Sequence, residues 1–178
     1  MNDLGTTRLE TRRLALRKFT VEDAGDMYTN WASDPEVTRY LVWETHSGPD
    51  DSKEILETWV PGYADRRQYL WCLAFGQDEI AIGSLGVVAR VDENETLEMG
   101  YCLSRKFWGQ GLMSEALEAA SSFLLDQVGA RRLEALIDER NLKSQRVLIK
   151  CGYRLSEVRI NGGRNNLGIY DAQVYRKP

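Results

Sequence analysis

The most constraining feature of this sequence is a segment that runs from a strand pattern through a glycine-containing loop into a strong helix pattern, residues 97–116. From Leu112 onward, apolar residues recur at steps of three and four, which predicts a helix with one buried face. Gly109 and Gly111 then precede the helix, where unpaired backbone N–H groups and the helix dipole attract anions. A phosphate site is one interpretation, and a tight strand-to-helix turn is the other.

The rest of the chain predicts an alternation of strands and helices. Thr20 is a candidate N-cap for a helix up to about Trp31, Asp34-Pro35 starts another helix, and a third helix ends near Pro61-Gly62. Period-two and apolar runs predict strands, which we place at 14–19, 69–75, 80–89, 96–103, 133–138, 153–159 and 168–175. A helix is expected over 142–151, and Gly162-Gly163 is expected to turn the chain between the last two strands.

Composition limits the class of protein. With 178 residues, of which 43% are hydrophobic, the chain predicts one domain spanning residues 1–178. No apolar run approaches the roughly 20 residues that cross a bilayer, and the N-terminus has no secretory pattern, so a cytoplasmic protein without membrane contact is expected.

Charge and cysteine content exclude further classes. Cys72, Cys102 and Cys151 have no ligand or disulfide spacing, so neither a metal site nor a disulfide framework is predicted. The 23 basic and 27 acidic residues give a net charge of −4 without a basic stripe, which argues against nucleic-acid binding and suits a cationic acceptor.

Two sequence blocks carry a family resemblance. Residues 106–111, Lys-Phe-Trp-Gly-Gln-Gly, resemble the pyrophosphate motif Arg/Gln-x-x-Gly-x-Gly/Ala of the GCN5-related N-acetyltransferase (GNAT) superfamily, with lysine in the first position. The second block, Asn-x-x-Ser followed by Lys-x-Gly-Phe/Tyr, is matched by Asn141, Ser144, Lys150 and the Gly152-Tyr153 pair. Within the superfamily, the chain is similar to the RimJ/RimL type of ribosomal-protein N-terminal acetyltransferases.

The resemblance implies an α/β (α+β) fold, in which a mixed, mostly antiparallel sheet is splayed between its fourth and fifth strands and flanked by helices. It implies transfer of an acetyl group from acetyl-CoA, without a metal, to a primary amine such as a protein or peptide N-terminus, by a monomer or homodimer. The implied donor-binding residues belong to the fourth strand, the glycine loop, the start of the following helix and the next helix: Tyr101, Cys102, Leu103, Lys106, Phe107, Trp108, Gly109, Gln110, Gly111, Leu112, Met113, Ser114 and Asn141.

Two polar residues are candidates for the chemistry. Glu98 lies in the fourth strand and shares a face with Gly100 and Cys102, so it could take the proton of the amine directly or through water; the alternative is a solvent-facing strand glutamate. Ser144 lies near the helix start and could act as the acid towards the leaving thiolate. Where related enzymes carry a tyrosine acid further along this helix, this chain has Leu148. Asn141 is equally explained as a helix N-cap.

Other functions remain open at this stage. A small-molecule amine, such as a polyamine, an amino acid or an antibiotic, would use the same donor site, as would a sensor that binds acyl-CoA without catalysis. A different nucleotide-binding protein is disfavoured because no G-x-x-x-x-G-K-[ST] motif is present. His46, the single histidine, is interpreted as a loop residue. The aromatic residues that could line an acceptor groove, or equally fill the core, are Trp31, Tyr40, Trp43, Trp59, Trp71 and Trp108.

Overall fold

Eight strands form one mixed sheet in the structure, a computed structural model that describes residues 1–178. The strands are β1 Leu9–Glu10, β2 Leu14–Arg17, β3 Leu70–Phe75, β4 Ile80–Val91, β5 Thr96–Leu103, β6 Arg132–Asp138, β7 Arg154–Asn165 and β8 Gly168–Lys177, and their order in the sheet is β1-β2-β3-β4-β5-β6-β8-β7. The helices are α1 Ala24–Met27, α2 Pro35–Thr38, α3 Pro49–Gly62, α4 Leu112–Ser122 and α5 Leu142–Lys150. A 3-10 turn, Val21–Asp23, and a π turn, Tyr28–Ala32, extend α1, and a π turn, Phe123–Gln127, extends α4.

The sheet opens between β5 and β6. This is its one parallel pair, and it is limited to Thr96–Glu98 against Arg132–Glu134, whereas every other neighbouring pair is antiparallel. The remainder of β5, residues 99–103, has no strand partner on its β6 side. The sequence predicted a splay between its fourth and fifth strands, which are β5 and β6 of the structure, and this prediction is confirmed.

Each face of the sheet carries its own core. Trp71 packs with Phe123 on the face covered by α4 and α5, with ring centroids 6.0 Å apart. Trp31 and Phe19 pack on the face covered by α1 and α3, with ring centroids 6.4 Å apart. Both tryptophan side chains are fully buried, and burying a large apolar side chain stabilises a fold by roughly 1.5–3 kcal/mol. The two layers hold β5 rigidly between them.

The apolar face predicted for the helix after the glycine loop is confirmed. The buried residues of α4 and its extension include Leu112, Ala116, Leu117, Ala120 and Leu124, at the steps of three and four that the sequence shows. The apolar face of this helix thus fixes the orientation of the loop that precedes it.

The turn between the last two strands is not where the sequence predicted it. Gly162 and Gly163 lie inside β7, at a break in register between Arg159 and Gly163, and the chain reverses instead over 166–167. The prediction of a Gly162-Gly163 turn is therefore wrong. Gly163 is required for a different reason, because a Cβ there would collide with the ring of Tyr170. Glycine in a strand often marks a bulge or a close approach.

The first strand also differs slightly from the prediction. It ends at Arg17 rather than at residue 19, because Phe19 leaves the sheet to join the core under α1 and α3. The two-residue strand β1 was not predicted, and it pairs antiparallel with β2.

Gly83 provides a test of the packing between β4 and β5. A Cβ at this position would collide with the carbonyl oxygen of Cys102 and lie 3.0 Å from the Cα of Leu103. We expect Gly83→Ala to lower the free energy of unfolding by about 2–3 kcal/mol, because the obstacle is backbone that cannot rotate away. Urea denaturation followed by circular dichroism measures this difference.

Gly25→Ala is the matched control. Gly25 lies in α1, and a Cβ there would meet no atom within 4 Å. Alanine is favoured over glycine in a helix by roughly 0.5–1 kcal/mol, so this variant is expected to be as stable as the native chain or slightly more stable. Equal destabilisation by both substitutions would contradict the proposed contact.

Candidate active site

The open edge of β5 leads directly into the glycine loop. After Leu103, a 3-10 turn over Arg105–Phe107 redirects the chain, and Gly109 and Gly111 then adopt φ values of +75° and +76° before α4 begins. L side chains rarely adopt these angles, so glycine is needed at both positions. The first N–H groups of α4 thus lie one short loop after β5, whose residues 99–103 have no strand partner on the β6 side, and this geometry suits a long, phosphate-bearing ligand.

Two cations flank the start of α4. A Cβ added at Gly111 would lie 3.6 Å from Nζ of Lys150 and 3.7 Å from Nη2 of Arg13. Arg13 is held in place by Glu115, at 2.8 Å, and by the carbonyl of Gln110, at 3.0 Å. Lys150 has no ion pair and remains available for an anion. Lys106 also lies exposed at the loop.

Sequence reasoning missed the role of Arg13. The residue stands about a hundred positions before the loop, and only the sheet brings it to α4. Lys150 was noted as part of a motif, but its position beside Gly111 depends on how α5 packs against α4. No local sequence signal reports either contact.

The glycine loop is fixed by its own aromatic and amide side chains. Trp108 donates from Nε1 to the carbonyl of Leu103 at 2.8 Å, and Nζ of Lys143 on α5 lies 3.8 Å from the centre of the Trp108 ring. Gln110 donates to the carbonyl of Lys106 at 3.0 Å. The Phe107 ring packs against Phe75 of β3, with ring centroids 5.0 Å apart. These contacts support the loop in the conformation that the structure shows.

The first turn of α4 offers its backbone rather than its side chains. Leu112, Met113 and Ser114 are all buried, and the Ser114 carbonyl accepts a hydrogen bond from the thiol of Cys151 at 3.3 Å. Cys102 of β5 is likewise buried, with its sulfur 3.2 Å from the Ser84 hydroxyl, and burial raises the pKa of its thiol. We find no reactive cysteine among them, because a buried neutral thiol is a poor nucleophile.

Asn141 caps α5. Its side-chain oxygen accepts the backbone N–H of Ser144 at 3.2 Å, which confirms the N-cap interpretation. The amide nitrogen of Asn141 makes no hydrogen bond and is free to donate to a ligand at the open edge of β5. Both roles proposed for Asn141 from the sequence are thus geometrically compatible.

Ser144 lies in the first turn of α5, where it contacts the side chain of Tyr101. The sequence suggested Tyr101 only as a donor-binding residue of the fourth strand and did not predict this contact. The Oγ of Ser144 is 2.7 Å from the hydroxyl of Tyr101, which reaches across from β5. Ser144 is only 8% exposed, and burial raises the pKa of Tyr101 well above its usual range. The open edge of β5 and the start of α5 are therefore joined by a pair of neutral hydroxyl groups.

Glu98 lies on the opposite face of β5. Alternation along the strand places it with Cys102, towards α1 and α3, whereas Tyr101 points towards α4 and α5. The Glu98 side chain is half-buried and has no ion pair. Burial, and then the neighbouring carboxylate of Glu134, raise its pKa, while Arg159 opposes the shift. Glu134 itself is paired with Arg176 at 2.7 Å.

Glu98 and Ser144 thus sit on the two sides of one open strand edge. A carboxylate with a raised pKa can take a proton from an approaching amine, and a buried hydroxyl can donate to an atom that gains negative charge. A reacting group held along residues 99–103 would have both within the same region of the fold. The arrangement suits acyl transfer better than it suits simple nucleotide binding.

A carboxylate network holds the loop that leads to Asn141. Asp138, at the end of β6, accepts two hydrogen bonds from Arg140, at 2.8 and 2.5 Å, and one from Asn165, at 2.9 Å. Its backbone carbonyl accepts the N–H of Asn141 at 2.8 Å. The hydrogen bonds from Arg140 lower the pKa of Asp138 to about 2. This network sets the position at which α5 begins.

A second surface lies beside the hairpin turn of β7 and β8. Asn166 donates to the carbonyls of Thr38 and Trp43, at 2.9 and 2.8 Å, and its backbone N–H donates to Leu41. The turn therefore fastens the loop between α2 and α3. An open groove of about 620 Å³ borders this contact, and the residues that line it are Pro35, Glu36, Thr38, Arg39, Glu44, Thr45, Asn166 and Leu167.

The aromatic residues divide between core and surface. Trp31 and Trp71 are core residues, and Trp59 packs partly buried against the same core as Trp31. Trp43 is partly buried in the loop that Asn166 holds, and its ring lies 5.1 Å from that of His46. The sequence pattern alone did not distinguish the aromatic residues of the core from those near the surface.

His46 is a loop residue, as interpreted from the sequence. Its Nδ1 lies 2.7 Å from the hydroxyl of Ser52, and its pKa is lowered by burial. Ser52 has no exposed surface, so it cannot reach a substrate as a nucleophile. The pair fixes the loop that precedes α3.

Comparison with known proteins identifies the family. A model of the acetyltransferase (GNAT) domain matches residues 13–154, which contain β5, the glycine loop, α4 and α5. The chain belongs to the GNAT acetyltransferase family. As a member of this family it is an acyltransferase, and GNAT acetyltransferases use acetyl-CoA.

Individual GNAT proteins resemble the chain along most of its length. The uncharacterized N-acetyltransferase YoaA of Bacillus subtilis is 29% identical over 94% of this chain and 94% of its own. The structure of RimL, a ribosomal L7/L12 alpha-N-protein acetyltransferase, in complex with coenzyme A superposes with a TM-score of 0.84 at 18% identity, over 96% of this chain and 97% of RimL. The microcin C7 self-immunity acetyltransferase MccE, in complex with acetyl-CoA and AMP, gives a TM-score of 0.83 at 18% identity, over 93% and 92% of the two chains.

Among the helices of this GNAT chain, none has the length and apolar character needed to span a bilayer.

The Asp138 network predicts a specific dependence of stability on pH. Because the folded-state pKa of Asp138 is lower than the unfolded value of roughly 3.9, its contribution is fully present above about pH 4 and is lost as the pH falls towards about 2. We expect Asp138→Asn to lower the free energy of unfolding by about 1–2 kcal/mol at neutral pH, and the difference from the native chain to shrink at about pH 3.

Denaturation by urea at the two pH values measures this effect, with Asp78→Asn as the control. Asp78 lies exposed in the turn between β3 and β4 and has no ion pair. Its substitution is expected to leave stability within about 0.5 kcal/mol at both pH values. A constant deficit for Asp138→Asn across the range would show that the carboxylate charge is not what stabilises the loop.

Proposed function

We propose that residues 1–178 form a single acetyltransferase domain that transfers the acetyl group of acetyl-CoA to a primary amine, with the N-terminal amine of a protein or peptide as the acceptor class. The observation that carries this proposal is the open edge of β5, residues 99–103, which leads into the glycine loop and has Glu98 and Ser144 on its two sides. Donor binding, proton removal and stabilisation of a leaving group can all be assigned around this one edge.

The donor is held mainly by backbone. N–H groups of residues 109–114 would bind the pyrophosphate, and Arg13, Lys106 and Lys150 would add positive charge around it. The backbone of β5 around residues 101–103, on the side that lacks a strand partner, and the free amide nitrogen of Asn141 would pair with the pantetheine arm. Acetyl-CoA supplies the acyl group as a thioester, and the ordered loop reduces the entropy cost of placing it.

Glu98 is assigned as the base. An amine must lose its proton to attack a carbonyl carbon, and a carboxylate is a more effective base when its pKa approaches the working pH. Burial and the charge of Glu134 shift the pKa of Glu98 in that direction. Glu134, Asp138 and Glu157 all have arginine partners, whereas Glu98 has none and is free to accept a proton.

Ser144 is assigned as the hydrogen donor to sulfur. As the carbon–nitrogen bond forms and the carbon–sulfur bond breaks, the electron pair of that bond remains on sulfur. A hydroxyl at the start of α5 can donate to this charge, and the positive end of the helix dipole adds to the effect.

A peptide acceptor is supported by the likeness to RimL, which acts on a ribosomal protein, and by the open groove of about 620 Å³ beside Asn166. A small-molecule amine is the alternative acceptor. It is kept as an alternative because the chain is also similar in structure to MccE, a microcin C7 self-immunity acetyltransferase. A sensor that binds acyl-CoA without turnover is the remaining alternative. A sensor, however, would not need a carboxylate that is free to accept a proton, such as that of Glu98.

The first test combines donor binding with turnover. We expect acetyl-CoA and CoA, but not ATP, to raise the melting temperature, and thiol release to depend on the addition of N-terminal peptides rather than small amines. Thiol release with polyamines or amino acids alone would replace the peptide acceptor with a small molecule. Binding without thiol release from any acceptor would favour the sensor, and no binding of CoA would overturn the proposal.

Lys150→Met tests the donor site in the same assay, with Lys53→Met as its control. Removing one cation from a phosphate contact is expected to weaken acetyl-CoA binding by about 3- to 10-fold, more at low ionic strength than at high. Lys53→Met changes an exposed lysine on α3, and its donor affinity is expected to match that of the native chain.

The pKa of Glu98 predicts a pH profile. Because the base must be ionised, kcat/KM of the native enzyme should fall as the pH drops through the raised pKa of Glu98. Glu98→Gln should remove this acid limb and lower kcat by about 10- to 100-fold near neutral pH. The loss should become smaller in alkaline solution, where the amine is already neutral.

Glu134→Gln supplies the complementary measurement. Removing the neighbouring negative charge should lower the pKa of Glu98, which moves the acid limb to lower pH without a large loss at the plateau. An unchanged pH profile in Glu98→Gln would exclude Glu98 as the base and leave water in that role.

A further inference from the structure

The side chain of Tyr101 has a contact that the donor-binding role of its backbone does not explain. It leaves β5 on the side of α4 and α5, packs against the core there, and brings its hydroxyl to Ser144. The hydroxyl lies 2.7 Å from Ser144 Oγ and 3.3 Å from the Ser144 carbonyl oxygen. Both oxygen atoms near the phenol therefore belong to one residue, and its single proton can be donated to only one of them.

The hydrogen atoms of this pair can be placed from the surrounding bonds. The backbone N–H of Ser144 is engaged by Asn141, so the first turn of α5 is fixed. The Ser144 carbonyl oxygen can only accept, whereas either hydroxyl can donate in the shorter contact. We place the single phenol proton on the 2.7 Å contact to Ser144 Oγ, because this distance is the shorter and a phenol is the stronger donor of the two hydroxyl groups. Ser144 then keeps its own proton, which is free to point to the open edge of β5.

We infer that Tyr101 is a positioning residue for acetyl transfer: its hydroxyl donates to Ser144 Oγ and so directs the Ser144 proton towards the sulfur of the donor. The inference rests on the proposed function. A hydroxyl that accepts a hydrogen bond becomes a better donor, because chains of hydrogen bonds polarise one another. Tyr101 therefore acts on the leaving thiolate through Ser144 and does not itself touch the reacting atoms.

The protonation state of the tyrosine fits this role. Burial raises the pKa of Tyr101, so the phenol stays neutral and remains a donor throughout the working pH range. In the reaction, the amine nitrogen bonds to the acyl carbon, the carbon–sulfur bond breaks, and its electron pair stays on sulfur. The proton lost by the amine goes to Glu98 or water, while Ser144 and Tyr101 keep their protons and only hydrogen-bond.

The position further along α5, where related enzymes carry a tyrosine, cannot take this role here. Leu148 occupies that position and is fully buried in the core. Tyr101 instead brings a phenol from β5 to Ser144 in the first turn of α5. The hydroxyl chemistry is thus provided by a residue on a different element.

The kinetic test is a double-mutant cycle between Tyr101→Phe and Ser144→Ala. We expect Tyr101→Phe to lower kcat by about 3- to 10-fold, which is the effect of one hydrogen bond, and to leave the KM for acetyl-CoA unchanged. Because Tyr101 acts through Ser144, the double variant should be no slower than Ser144→Ala alone. If the effects of the two substitutions on kcat multiply, or if Tyr101→Phe raises the KM for acetyl-CoA, the inference is overturned and Tyr101 has a merely structural role.

Tyr153→Phe is the matched control for loss of a buried phenol. The Tyr153 hydroxyl lies 3.0 Å from the Ser121 hydroxyl in the core beneath α4, away from the start of α5. We expect this variant to lose stability and keep kcat. If Tyr101→Phe and Tyr153→Phe reduce kcat equally, the effect of Tyr101 is not specific.

An equilibrium measurement separates failure of the inference from failure of the proposed function. Native protein should bind CoA in preference to desulfo-CoA, which lacks the thiol, and this preference should grow from about pH 7 to about pH 9 as the thiol ionises. Tyr101→Phe should lose the pH-dependent part of the preference and keep its affinity for desulfo-CoA. This result would support the role of Tyr101 even if no amine is acetylated, whereas an unchanged preference in the variant would overturn it.

Discussion

The short parallel pairing of β5 with β6 is the constraint on which the rest of the structure depends. Only residues 96–98 of β5 are paired with β6, so residues 99–103 have no strand partner on that side of an otherwise continuous sheet. Free backbone groups at this depth need partners. This side of β5 is therefore open to hydrogen bonds of the kind that a strand makes, and the glycine loop and α5 border it.

Two packed layers make this opening possible without loss of order. α4 and α5 pack against one face of β5, and α1 and α3 pack against the other, so both faces are supported where the strand has no partner on its β6 side. The same layers place Glu98 and Tyr101 on opposite sides of the strand, since side chains alternate along it. The separation of the Glu98 carboxylate from the Tyr101 hydroxyl thus follows from the period of a β-strand.

Much of this arrangement was predictable from the sequence, because it depends on local patterns. The strand at 96–103, the helix from Leu112 and the N-cap at Asn141 are all confirmed, and each is determined by residues within a few positions. The family motif predicted the splay of the sheet, which no local pattern contains.

The remaining features depend on contacts between distant residues. Arg13 reaches α4 only through the sheet, and the Tyr101 hydroxyl meets Ser144 across 43 positions of sequence. The misplaced turn at Gly162-Gly163 has the same origin. A glycine pair is a strong turn signal locally, but here the glycine makes room for the Tyr170 ring, which only the folded hairpin reveals. Sequence reasoning located the loop and the helices of the site, but not the side chains that come to it from elsewhere.

The hairpin turn of β7 and β8 joins the two halves of the site. Asn165 binds the Asp138 carboxylate that fixes the start of α5, and the next residue, Asn166, binds the loop between α2 and α3. Adjacent residues therefore anchor both α5 and this loop, and inserting one residue between them would displace one anchor relative to the other. The length of this turn therefore couples the position of α5 to that of the loop between α2 and α3.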